Sequence, residues 1–107
     1  MAMTPEDEKL VALARAARAR IQAMQGAAVR DETGRSYAGA TIALPSLELT
    51  ALELAVAQAV AAGASALEAA VLVGGEAPDL GAVRDLGAGV PVWHCDSRGQ
   101  VLAELRS

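Results

Sequence analysis

The sequence predicts a three-layer α/β domain in which helices cover both faces of a mixed five-stranded sheet. Helical and extended patterns alternate along the chain, a hairpin pattern separates the first two helices, and one apolar run is typical of a strand covered on both faces. A chain of 107 residues buries one core, so we expect a single domain over residues 1–107. A truncated flavodoxin-like sheet is the competing fold, and the hairpin argues against its all-parallel order.

The first helix is predicted to begin at Pro5 and to run to about Met24. Thr4 can cap its N-terminus, and the acidic residues that follow suit the positive end of the helix dipole. Apolar residues recur at helical spacing and define one predicted buried face, which consists of Leu10, Leu13, Ala14, Ala17, Ile21 and Met24. We expect Gly26 to end the helix.

A β-hairpin is predicted next in the sequence. Two extended segments, residues 27–31 and 35–42, flank a tight turn at residues 32–34. Because the strands of a hairpin run antiparallel, a sheet that contains them is mixed rather than all parallel.

The second helix is predicted to run from Leu47 to about Ala62 and to stop near Gly63. Ser46 can cap it, since Pro45 breaks the preceding extended segment. The helix is apolar on nearly every side. We therefore expect it to be buried inside the domain or against another subunit.

The remaining elements follow in a regular order, and their predicted bounds are a strand at 69–73, a short helix at 79–86 and strands at 90–95 and 100–105. Asp79 is the predicted cap of the short helix. Gly74 and Gly75 lack the residues that would accompany them in a dinucleotide or phosphate-binding loop. They are interpreted as a flexible exit from the strand.

Composition and charge exclude several classes of partner. The net charge is −4 and no basic stripe is evident, which argues against nucleic acid binding. The only aromatic residues, Tyr37 and Trp93, leave few faces on which a base could stack. No apolar run is long enough for a membrane span. The acidic start does not resemble a secretory signal, and the single Cys95 agrees with a reducing compartment, so we expect a cytoplasmic protein.

Residues 26–39 resemble the opening hairpin of the small nucleoside-type cytidine deaminases, whose chains carry a similar G-A-A-L pattern with glycines at matching intervals. The later elements strengthen the resemblance. They are the end of an alanine-rich helix at 59–63, the strand at 69–73 and the segment 80–84 at the next helix. The resemblance covers residues 10 to 105 and implies the cytidine deaminase-like fold.

The resemblance also places this chain's residues at the positions that carry the family's chemistry. Thr50 falls at the first zinc ligand, and Leu52 falls at the glutamate that shuttles protons. Leu80 and Val83 fall at the two cysteine ligands. Because leucine and valine have no lone pair to give a cation, we expect no catalytic residue, no metal ligand and no zinc or other cofactor.

A vestigial pocket is expected where the family binds its substrate. The family's ribose-binding segment falls near Thr41, where its carboxylate is missing. Arg84 is either a remnant of the family's helix or a solvated charge that pairs with Asp85 or Asp79, and we favour the solvated charge. The residues of this expected pocket are Thr41, Thr50, Leu52, Leu80, Val83 and Arg84.

Three functional hypotheses follow. The leading one is a catalytically inactive cytidine deaminase-like protein with a structural or protein-interaction role as a homo-oligomer, a dimer or tetramer, because the resembled family assembles through its alanine-rich second helix. The second is a regulatory module that binds a small molecule or nucleoside, in which a pocket lined by Leu52, Leu80 and Val83 holds a small apolar ligand.

The third hypothesis is an active cytidine deaminase that is aligned here in the wrong register. A shift of one helical turn would bring Glu48 or Glu53 to the start of the second helix. Zinc would still lack ligands, since His94 and Cys95 are the only histidine and cysteine. Neighbouring strand residues point to opposite faces of a sheet, so these two are poorly placed to share a metal.

Overall fold

The computed structural model describes residues 3–107 and confirms an α/β fold with a mixed five-stranded sheet. In chain order the elements are α1 Pro5–Ile21, β1 Gly26–Asp31, β2 Ser36–Ala40, β3 Ile42–Leu44, β4 Leu47–Leu49, α2 Ala51–Ala61, β5 Leu67–Val73, α3 Gly81–Asp85, β6 Pro91–Cys95 and β7 Val101–Arg106. No helix within residues 3–107 is long and apolar enough to cross a bilayer.

The strands of the main sheet lie in the order β2-β1-β5-β6-β7. Strands β5 and β6 pair in parallel, and every other neighbouring pair is antiparallel. It follows that β2, β5 and β6 run in the same direction and that α2 and α3 connect them. The predicted hairpin is the β1–β2 pair, with Ala28 opposite Ala38.

Two buried clusters, one on each face of the sheet, form the core. One cluster joins α2 and α3 to the sheet and includes Leu52, Leu72 and Val83. The other joins α1 to the sheet and includes Leu10 and Trp93. Successive residues of β5 pack alternately into the two clusters, because neighbouring side chains of a strand point to opposite faces of the sheet. The three layers are therefore α1, the sheet, and α2 with α3.

Helix α1 ends earlier than the sequence pattern predicts. Its last residue is Ile21, and Gln22 adopts a left-handed conformation with φ 51°. Gly26 is not the helix terminator but the first residue of β1, where a Cβ atom would lie 2.0 Å from the carbonyl oxygen of Ala14. The close approach of β1 to α1 requires glycine at this position.

The predicted buried face of α1 was partly wrong. Helix α1 buries Asp7, Leu10, Ala14 and Ala17. Leu13, Ile21 and Met24 are exposed, with 73% of Met24 accessible to solvent. Ile21 and Met24 lie at or beyond the helix end, so the helical spacing no longer directs them to the sheet.

Helix α2 begins four residues later than predicted. Thr50 is its N-cap: the Thr50 hydroxyl accepts a hydrogen bond from the Glu53 amide at 3.0 Å, and the Glu53 carboxylate accepts one from the Thr50 amide at 2.8 Å. This capping box satisfies two backbone donors at once. Pro45 and Ser46 instead form the turn of a second hairpin, β3–β4.

Helix α3 also differs from the prediction, which placed it at 79–86 with Asp79 as its cap. The helix spans Gly81–Asp85, and its N-cap is Leu80, whose side chain makes no capping bond. The Asp79 carboxylate accepts a hydrogen bond from the Gly81 amide at 2.8 Å. Asp79 therefore turns the chain into the helix from one position further upstream.

A buried polar link connects α1 to the sheet. One carboxylate oxygen of Asp7 accepts from Arg30 Nη2 at 3.0 Å, and the other accepts from the indole nitrogen of Trp93 at 3.0 Å. Arg30 also donates to Glu68 at 3.0 Å. Burial lowers the pKa of Arg30, but the hydrogen bonds and charges of Asp7 and Glu68 outweigh it and raise the pKa. Arg30 is therefore positively charged at neutral pH.

Asp31 organises the turn between β1 and β2. One carboxylate oxygen accepts from the Thr33 amide at 2.9 Å, from the Thr33 hydroxyl at 2.7 Å and from the Arg35 amide at 3.0 Å. The other accepts from the Tyr37 hydroxyl at 3.0 Å. Burial raises the pKa of Asp31, but these hydrogen bonds outweigh it and hold the pKa below its ordinary value.

The depressed pKa predicts acid destabilisation through this turn. A group whose folded pKa is lowered contributes its stability above the unfolded pKa, about 3.9 for Asp, and loses it as the pH falls through the folded pKa. We expect the urea midpoint of the natural protein to drop more between neutral pH and roughly pH 3 than that of Asp31→Asn. Equal drops in the two proteins would show that Asp31 does not carry the effect.

Candidate functional site

A cavity of about 490 Å³ lies beyond the carboxyl end of β5. The segment between α1 and β1, the start of α2 and the segment that follows β5 form its walls. Its lining residues are Met24, Gln25, Thr50, Leu52, Leu72, Gly75, Glu76, Ala77, Pro78 and Asp79. The volume is typical of a site for a small organic molecule.

Gln25 shapes the cavity by holding the segment after β5. Its side-chain nitrogen donates to the carbonyl oxygens of Gly74 at 3.0 Å and Glu76 at 2.9 Å. Gly74 and Gly75 have φ angles of 85° and 60°, and a Cβ atom on Gly75 would lie 2.5 Å from the Gln25 nitrogen. These glycines therefore form a turn that packs against Gln25 and that needs residues without a Cβ atom.

Thr41 supports the same wall without lining the cavity. Its hydroxyl accepts a hydrogen bond from the Gln25 amide at 3.1 Å, and its own amide donates to the Gln25 carbonyl at 3.1 Å. Thr41 thus fixes the backbone of Gln25, and the Gln25 side chain in turn holds the segment after β5.

The four positions that the resemblance assigns to the family's chemistry lie at the starts of α2 and α3. Thr50 is exposed and caps α2, while Leu52 is 2% exposed. Val83 is fully buried in the same cluster as Leu52, and Leu80 packs against that cluster. Thr50 also shares a smaller cavity, of about 150 Å³, with Gly81 of α3. The starts of the two helices are therefore adjacent.

The residues at these positions do not fit a zinc ion. The side chains of Leu80 and Val83 carry no donor atom, and the Thr50 hydroxyl is engaged with the Glu53 amide. Within residues 3–107, no three His, Cys, Asp or Glu side chains come together in a way that could hold a metal.

His94 and Cys95 lie on opposite faces of β6, as the strand period predicts. Cys95 belongs to the cluster under α1, whereas His94 pairs in register with Leu72 and shares its face. Both residues are buried, and burial together with the charge of Asp96 raises the pKa of Cys95 to about 11. The thiol therefore stays protonated at neutral pH and is a poor ligand or nucleophile.

The two carboxylates that a shifted register would use, those of Glu48 and Glu53, lie outside the larger cavity. Glu48 is exposed on β4, and Glu53 is held in the capping box of α2. Neither side chain lines the larger cavity. The alternative register therefore brings no carboxylate to the wall on which Leu52 lies.

The expected pocket overlaps the observed cavity only in part. Thr50 and Leu52 line it, whereas Leu80 and Val83 lie in or against the core beside it. Arg84 is exposed and forms no ion pair with Asp79 or Asp85 in the part of the chain that the structure describes.

Sequence reasoning missed one side of the cavity, formed by Met24, Gln25 and residues 75–79. For residues 75–79, the paired glycines Gly74 and Gly75 were the sequence signal that could have indicated a site. Gln25 had no signal of its own, because its role depends on two backbone carbonyls that lie about fifty residues away in the sequence.

Comparisons with known proteins agree with this geometry. Residues 3–99 match the model of the family described as cytidine deaminase-like. The chain is similar to the 1.6 Å crystal structure of cytidine deaminase from Burkholderia pseudomallei, with a TM-score of 0.81 and 25% sequence identity. That match covers 97% of this chain and 93% of the Burkholderia chain. Among curated proteins, none matches this sequence.

Proposed function

The chain belongs to the cytidine deaminase-like family, and we propose that it is a member that neither binds zinc nor deaminates. The observation that carries the proposal is the presence of Leu80 and fully buried Val83 where the family resemblance implies two zinc ligands. Aliphatic side chains cannot coordinate a cation, and the threonine at the third position cannot compensate for both.

The loss of the proton shuttle supports the same proposal. Hydrolytic deamination by a zinc enzyme needs a metal that lowers the pKa of a bound water and a glutamate that transfers protons to the base. Leu52 stands at the position of that glutamate and is buried in the core cluster. A leucine can neither accept nor donate a proton, so both parts of the chemistry are missing together.

An assay of cytidine hydrolysis tests the proposal. Purified protein incubated with cytidine in the presence of added zinc is expected to release no uridine above the rate of buffer alone. Uridine formation that rises with protein concentration would overturn the proposal.

The role that we propose for the protein is structural, as a homo-oligomer, either a dimer or a tetramer, in the cytoplasm. The outer face of α2 supports this role, since after Glu53 in its first turn it exposes Ala57, Val60 and Ala61 and no further charged residue. Val60 is half exposed to solvent in the isolated chain. Burial of this face against a second copy would remove apolar surface from water. Light scattering with size exclusion measures the mass and separates monomer from oligomer.

A second candidate function is the binding of a small molecule, which the cavity favours. A site that had filled in after losing its metal would leave no space beside Leu52, whereas about 490 Å³ remains there. A ligand that binds the native state raises the thermal midpoint with its concentration. A screen of nucleosides and small hydrophobic compounds by thermal shift tests this candidate.

A further inference from the structure

We propose that the cavity binds an organic cation, an amine or amidine attached to an apolar body, and not an anionic or purely apolar molecule. The proposal rests on the second candidate function above. It follows from three properties of the lining: the free hydrogen-bonding capacity of its side chains, the charge of its side chains and the position of its apolar wall.

The free hydrogen-bonding groups of the lining side chains are almost all acceptors. Gln25 has two amide hydrogens, and both are used, on the carbonyls of Gly74 and Glu76. Its side-chain oxygen therefore remains as an acceptor. Asp79 accepts from the Gly81 amide through one oxygen, which leaves the other free. The hydroxyl of Thr50 is the one side-chain donor in the lining that is not already engaged as a donor.

The ionised side chains of the lining all carry negative charge. Glu76 and Asp79 line the cavity, and neither forms an ion pair within residues 3–107. No lysine, arginine or histidine is among the lining residues. A donor-bearing cation meets these acceptors with complementary charge, whereas a carboxylate or phosphate would meet two like charges.

The apolar part of the lining accepts the body of such a ligand. Leu52 and Leu72 form the floor, and Met24, Ala77 and Pro78 contribute apolar surface nearer the solvent. Leu52 takes the place at which the family resemblance implies a charged glutamate. An apolar floor with carboxylates beside it suits a molecule that is hydrophobic at one end and cationic at the other.

Phenethylamine, 2-phenylethanol and 3-phenylpropionate form a matched series that tests the proposal, because they share a ring and differ in charge. We expect phenethylamine to raise the thermal midpoint with a dissociation constant on the order of 1 mM, and to shift the NMR signals of the Leu52 and Leu72 methyl groups. The alcohol should bind more weakly, and the carboxylate should not bind. No saturable effect of phenethylamine, or equal binding of all three, would overturn the proposal.

Charge variants locate the interaction. Glu76→Gln combined with Asp79→Asn should weaken phenethylamine binding by about fivefold to tenfold. The carboxamide that replaces the Asp79 carboxylate retains an oxygen that can accept from the Gly81 amide. The control, Glu48→Gln combined with Asp85→Asn, changes the net charge equally at exposed sites outside the cavity and should leave the affinity unchanged. Equal weakening in both variants would contradict the assignment.

The two proposals fail in different ways. Zinc binding or cytidine turnover would contradict the loss of catalysis, whatever the amine does. A zinc-free, inactive protein that does not bind phenethylamine would contradict the cation site alone.

Discussion

Replacement of Thr50, Leu80 and Val83 by cysteine is expected to give a protein that binds about one zinc ion per chain, with the fourth ligand supplied by water. The three positions lie at the starts of α2 and α3. Leu80 and Val83 are three residues apart, which places them on one side of α3. Thr50 lies beside them, since it shares a small cavity with Gly81 and Ala82.

Metal analysis and cobalt substitution measure the rebuilt site. Tetrahedral thiolate ligation gives Co²⁺ strong visible absorption, so the spectrum reports the ligands as well as the stoichiometry. Deaminase activity is not expected from this variant, because Leu52 still occupies the position of the proton shuttle.

A second triple variant serves as the control, with cysteines at Thr50, Arg84 and Asp85. It carries the same number of thiols, but Arg84 and Asp85 are exposed on α3. We expect it to take up little zinc. A folded Thr50, Leu80 and Val83 variant that binds no more zinc than this control would show that the assigned register is wrong.

Asp7→Ala is expected to lower the free energy of unfolding by about 3 kcal/mol. The substitution removes the acceptor for both Arg30 and the Trp93 indole, which are held at 3.0 Å on either side of the carboxylate. The indole N–H would then be buried without a partner. Arg30 Nη1 already lacks a partner within residues 3–107, so the guanidinium would keep only its contact to Glu68.

The expected fall in the thermal midpoint is about 10 to 20 °C for a domain of this size. Glu8→Ala is the matched control, because it removes the same charge from the same helical turn at an exposed position. Its effect should stay within roughly 0.5 kcal/mol. Similar losses in the two variants, measured by urea unfolding, would mean that the buried link contributes little.

The sheet could be predicted from the sequence because its signals are local. The turn at residues 32–34 marks the β1–β2 hairpin. The apolar run of β5 marks a central strand, and β5 lies between β1 and β6 in the sheet. Strand alternation also placed His94 and Cys95 on opposite faces.

The predicted start of α2 was wrong because two possible N-cap residues lie within five residues of each other. Ser46 follows a proline, whereas Thr50 is followed three residues later by Glu53. The second pattern satisfies two backbone donors and so defines the helix start. Leu47 and Leu49, which the prediction assigned to the start of the helix, belong instead to strand β4.

The candidate site was predicted less well because half of it depends on contacts between distant segments. Thr50 and Leu52 could be named from the family resemblance. Gln25 could not, since its role is set by the turn at Gly74 and Gly75, which brings two carbonyl oxygens within reach of its side chain. Asp7 was likewise assigned to the helix dipole alone, although its carboxylate also joins three elements of the fold.

The zinc content of the purified natural protein tests the central claim most directly. Protein expressed in zinc-supplemented medium and purified without chelators is analysed for metal by mass spectrometry. The absence of donor atoms at Leu80 and Val83 predicts less than about 0.1 zinc per chain, a value typical of adventitious metal. Close to one tightly held zinc per chain would contradict the account.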